Sequence, residues 1–80
     1  MANMTLSTMS MRTNYMMAAM REKAIADTWK KFVEADAHYY RTSEGGDKVA
    51  KLIHELIELG VDEEAIFDKD LDIRDAEAEA

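Results

Sequence analysis

A chain of 80 residues with 10 Lys+Arg against 17 Asp+Glu, net charge −7, is one small domain, so two-lobed architectures are excluded. It has no Cys, which rules out disulfides, thiolate metal sites and cysteine nucleophiles; with no Pro and only 3 Gly it also lacks the punctuation of a many-stranded sandwich or barrel. At 48% apolar and 34% charged, it is too hydrophobic for disorder throughout and too charged for the bilayer.

The first 21 residues contain no acid and hold all 7 Met, together with Thr5, Ser7, Thr8, Ser10 and Thr13. Residues 1–12 read as a loosely ordered arm whose flexible, polarizable Met side chains suit docking onto a partner. Two Arg, Arg12 and Arg21, are sparse for an organelle transit peptide, and the apolar run from Met16 to Met20 is shorter than a secretory h-region. No segment reaches transmembrane length, so a soluble, cytoplasmic chain without a membrane partner is expected.

From residue 13 to about 41 the pattern has helical period. Ala18, Ile25, Trp29, Phe32, Val33 and Tyr40 share one stripe at 100° per residue, with charged residues such as Glu22, Lys23, Lys30 and Glu34 between them. Thr13 or Asn14 is the expected cap, and Gly45 and Gly46 should end the helix near Thr42. Five of the six aromatics lie here: Tyr15, Trp29, Phe32, Tyr39 and Tyr40. Tyr39 and Tyr40 are consecutive and cannot point the same way, which sets one at a rim. Asp36 lies on the apolar stripe, where a lone carboxylate is costly, so it should meet Lys51 or the free amides opening the next helix.

A second helix is expected over residues 48–59, capped by Asp47, with Val49, Leu52, Ile53, Leu56 and Ile57 on its apolar face. Gly60 falls where a left-handed closing residue belongs. Asp62 then caps a short third helix over 62–67, with Glu63 and Glu64 at its positive end and Val61 and Ile66 placed as a hydrophobic staple. The expected fold is therefore all-α. A long helix pairs with a shorter one as an antiparallel hairpin, a third helix follows, and residues 68–80 form an acidic tail. The long helix outruns its partner by about four turns, so a second copy completing a bundle as a dimer is the expected remedy.

Charge divides the chain. Residues 1–42 carry six basic against four acidic residues, and residues 43–80 four basic against thirteen acidic. General phosphate-backbone binding is disfavoured by this balance, so direct nucleic-acid binding is not expected. The acidic surface Asp62, Glu63, Glu64, Asp68, Asp70, Asp72 and Asp75 instead gives an alternative reading, a nucleic-acid mimic occupying a basic groove on a DNA- or RNA-binding protein.

The run Phe67-Asp68-Lys69-Asp70-Leu71-Asp72, with Glu79 eleven residues after Asp68, resembles the start of an EF-hand calcium loop. That resemblance implies Asp68, Asp70, Asp72 and Glu79 as ligands of a weak Ca²⁺-responsive module. Ile73 stands where such a loop has Gly, and Asp75 where it has an apolar residue, so the loop is degenerate and no metal site is assigned. His38 and His54 each have a Glu four residues away, but both fall off the apolar faces and read as surface residues. No nucleophile turn, Gly-rich phosphate loop or second group for Asp36 is visible, so neither an enzyme nor a cofactor is expected. The leading expectation is a non-enzymatic protein-binding module, an adaptor, inhibitor or subunit of the kind phages and plasmids carry as accessory proteins. Its candidate contact residues are Met16, Met20, Ile25, Trp29, Tyr39 and Tyr40.

Overall fold

The computed structural model describes the backbone from Ala2 to Ala80 and the side chains from Met17 onward. Three helices follow in order, α1 (Ala2–Thr42), α2 (Gly46–Glu58) and α3 (Glu63–Glu79), and no strand occurs among the described residues. The all-α class follows directly. No helix among the described residues is long and apolar enough to cross a membrane.

α1 has 41 residues. At a rise of about 1.5 Å per residue that is roughly 62 Å, which accounts for the molecule's 63 Å length against cross-dimensions of 19 and 16 Å. The boundary expected at residue 13 is not an element boundary, because the helix already begins at Ala2. No Gly or Pro interrupts residues 2–14, and Ala, Leu, Met and Arg are good helix formers. At the other end the Thr42 hydroxyl donates to the His38 carbonyl at 2.9 Å and accepts from the Glu44 N–H at 3.2 Å. Ser43 turns left-handed (φ 60°) and closes α1 through a 2.7 Å bond to the Tyr39 carbonyl.

Asp47 does not cap α2. The cap is Gly45, at φ 84°, a conformation that costs glycine little; it makes no side-chain cap bond, but its carbonyl accepts from Val49 N–H at 3.1 Å. Asp47 sits in the first turn instead, where the helix dipole favours an acid. The far end of α2 closes as its residues dictate. Gly60 (φ 95°) donates to Ile57 and Val61 to Leu56, both at 3.0 Å, the two bonds of a Schellman closure. Asp62 then caps α3 by accepting from Glu64 N–H at 3.2 Å.

α3 does not stop at residue 67, and residues 68–80 are not a tail, since the helix continues to Glu79. After Gly60 no Gly or Pro remains, and Ala65, Leu71, Arg74, Ala76 and Ala78 favour helix. Ile66 and Ile73, seven residues apart, share a face and are both buried, which gives the extension something to hold. Near its end Arg41 meets Glu77 at 3.3 Å, a partly exposed ion pair worth under about 1 kcal/mol.

Both short helices pack on α1. α2 starts against Tyr39, whose ring carbon lies 3.3 Å from where a Gly46 Cβ would stand. It ends with Leu59 beside Met17, Met20 and Ala24. α3 runs the other way, from the turn after α2 back to Tyr40 and Arg41. The core between them is Phe32, Val49, Leu52, Leu56, Ile66 and Ile73, ringed by Trp29, Val33, Tyr40, Ile53 and Val61. Trp29 leans on Phe32 at 5.8 Å between ring centres.

Leu56 is fully buried while its neighbour Ile57 is 39% exposed. In urea denaturation, Leu56→Ala should therefore cost about 2–5 kcal/mol and Ile57→Ala well under half of that; equal losses would contradict this packing.

Candidate functional site

Beyond the end of α2, α1 is left with an apolar face to water. Met17 is 59% exposed and Met20 70% exposed, and with Arg21, Ala24 and Leu59 they line a shallow groove. This groove forms because Gly60 ends α2 at the level of Ala24 while α1 runs on. Of the expected contact residues, Met20 belongs to it; Ile25 and Trp29 are half-buried, Trp29 against the core. The side chain of Met16 lies outside the described residues. Tyr39 is exposed and Tyr40 half-buried, their rings edge to face at 5.5 Å, about 28 Å along the helix from Met20. The expected set is thus two separate places. Sequence reading missed Met17 and Leu59, and the available signal was that Gly60 stops α2 beside residues of α1 that have no other cover.

The acidic residues are also redistributed. Glu63, Glu64, Asp68, Asp72 and Asp75 are exposed along α3, and around them Phe67 and Leu71 are 49% and 43% exposed. Asp62 is engaged as a cap and Asp70 turns inward to Tyr40. The EF-hand-like loop does not exist. Asp68 to Glu79 lie on one continuous helix, because Ile73 is drawn into the core where a calcium loop needs a turn. No three acidic or histidine residues converge as a metal site among the described residues. His38 and His54 are both exposed.

Among the described residues the groups whose chemistry is most altered are Asp36 and Tyr40. Asp36 is 1% exposed, and it does not meet Lys51, which is on the surface, or the start of α2. It faces Asp70 instead, because α3 runs long enough to bring that carboxyl alongside it. The Asp36 Oδ2 has no hydrogen-bond donor near it. Asp70 in turn accepts from the Tyr40 hydroxyl at Oδ1, 2.9 Å away. Two carboxylates without a donor between them repel, which disfavours the charged form of the more buried member. Burial, then the hydrogen bond and negative charge of Asp70, push Asp36 up to about 7. The same causes push the Tyr40 phenol up to about 12, against a small opposing pull from Arg74. Asp70 was legible as an inner residue once Ile66, Asp70, Ile73 and Glu77 are set on one helix face at spacings of four, three and four. The expected end of α3 at residue 67 hid that spacing.

The fold and this geometry define a class: a small all-α protein of one long and two shorter helices, with an exposed groove at Met17 and Met20 and a buried carboxyl, Asp36, facing Asp70. Comparison with protein-family models, with curated proteins and with solved structures finds no match for this chain.

Because the Tyr40 phenol ionises near 12, phenolate absorbance in a titration to pH 11 should be nearly the same for wild type and Tyr40→Phe. The same substitution removes the donor to Asp70 and should cost about 1 kcal/mol of stability. A loss of phenolate signal in the variant below pH 11 would contradict the buried bond.

Proposed function

We propose that this chain is a non-enzymatic protein-binding module that docks through the uncovered face of α1, and that the occupant of that face is a second copy running antiparallel. The observation that carries the reading is the groove of Met17, Met20, Ala24 and Leu59, with both methionines more than half exposed. Contiguous exposed apolar surface on a small domain marks an interaction site more often than a single exposed side chain does. Charge supports the antiparallel choice. Residues 1–21 hold two Arg and no acid, while residues 43–80 hold thirteen acids and four bases. Antiparallel copies set each acid-free segment along the partner's acidic body; parallel copies would set acid against acid. The α1–α2 hairpin then becomes half of a bundle across a two-fold axis, as adaptors, inhibitors and subunits often use. Asp36 does not argue for catalysis, since no substrate reaches a carboxyl that is 1% exposed.

Light scattering on the chromatographed protein tests this. Wild type should run near twice its 9.1 kDa mass, and the double variant Met17→Glu/Met20→Glu near the single mass with its helix content kept. A monomeric wild type at about 100 µM, or a variant that stays dimeric, would remove the second copy from this face.

A second reading has one observation behind it. The exposed carboxylates Glu63, Glu64, Asp68, Asp72 and Asp75 sit on a regular helix, which holds negative charge in a fixed array as a nucleic-acid mimic requires. Under that reading, Asp68, Asp72 and Asp75 replaced together by Asn should abolish displacement of duplex DNA from a basic nucleic-acid-binding protein. Salt should weaken the wild-type effect steeply; a triple variant that displaces DNA as well as wild type would end it.

A further inference from the structure

We propose that a proton held between Asp36 on α1 and Asp70 on α3 latches α3 onto α1, so that α3 docks more tightly as pH falls and loosens as pH rises. The proposal is independent of the docking reading and rests on a different part of the molecule. Among the described residues Asp36 is the only buried charged side chain, and its Oδ2 is sealed from water with no donor in reach. The group across from it is another acceptor, on a helix joined to α1 only through α2 and a short turn.

Among the described residues no basic side chain forms an ion pair with Asp36 or Asp70, and the charge felt nearby is that of Arg74, which pulls weakly on the Tyr40 phenol. From α1 the neighbours are Phe32, Val33 and the Tyr40 hydroxyl, which is already committed to Asp70. From α3 they are Ile66, Ile73 and Lys69 beside Asp70, with Arg74 one turn on and exposed. α2 contributes Val49, Leu52 and Leu56 to the core and keeps Lys48 and Lys51 at the surface. Arg41 is engaged with Glu77 further along. When the proton leaves, two negative charges face each other in a site with one hydroxyl donor. The contact they share is the contact between α1 and α3.

The direction follows from proton counts. Released, Asp36 is an ordinary exposed carboxyl that ionises near 4; docked, it keeps its proton up to about 7. Between those values the docked form binds one more proton, so docking weakens about tenfold per pH unit and levels off above about 7.

Native-state amide exchange, read by NMR as protection factors from pH 5 to 8, tests the latch on the whole chain. Amides of Ile66, Asp70 and Ile73 should lose about tenfold in protection per pH unit up to pH 7 and then hold steady, while Leu52 and Leu56 in α2 change far less. Asp36→Asn keeps the shape and supplies an amide donor to Asp70, so it should flatten the α3 profile. Should that variant fail to fold, Asp70→Asn makes the same test, because its amide serves an ionised Asp36. A flat wild-type profile overturns the latch. So does a slope that survives in the Asn variant, or loss of α2 protection in step with α3, which is global unfolding.

Discussion

Length is the constraint on which the rest of this molecule depends. α1 has 41 residues, α2 has 13 and α3 has 17. α2 is tied by a brief turn to the C-terminal end of α1 and α3 by another to the far end of α2, and α2 reaches back only as far as Leu59 beside Met17, Met20 and Ala24. A helix of about 10 Å diameter with one apolar face is stable in water mainly through what covers that face. The second half of α1 has α2 and α3; the first half has Met17 and Met20 in solvent. The shape and the exposed groove both follow from this mismatch.

Within the covered half, the energetics carry an internal conflict. Phe32, Leu56 and Ile66 are fully buried, and by area each stabilises the fold by about 1.5–3 kcal/mol. Asp36 sits among them, where a leucine-sized apolar residue would pack without cost to polar groups. A carboxyl there is costly in its charged form, and it faces Asp70, which Tyr40 holds in place. Such a pair is weak evidence for stability and stronger evidence for a defined register between two helices, since sliding α3 by one turn would bury Asp36 against apolar side chains. In a domain this small, where burial leaves little margin, a single ionisation of that kind is a large fraction of what holds α3 down.

Local chemistry was legible from residues alone wherever two neighbouring signals agreed. Gly60 with Val61, and Asp62 with Glu64, set the turn between α2 and α3 bond by bond, and Thr42 ended α1 where the glycines required. The errors came where a local preference had a rival. Asp47 looked like a cap, but Gly45 closes the same turn through backbone geometry. The acids from Asp68 onward looked like a solvated tail, yet Ile66 and Ile73 supply a buried face and no residue breaks the helix between them. Asp36 was recognised as out of place, but its partner was not, because that pairing depends on α3 running past residue 67. The Met20 groove was legible only in part, since it needs the level at which α2 stops.

The most direct measurement is amide exchange along α1 of the wild-type protein as its concentration is raised from about 1 µM to 1 mM. An uncovered half that finds cover in a second copy requires residues 17–24 to gain protection with concentration while those around Phe32 stay constant. Residues 17–24 exchanging as freely at the highest concentration as at the lowest would contradict it.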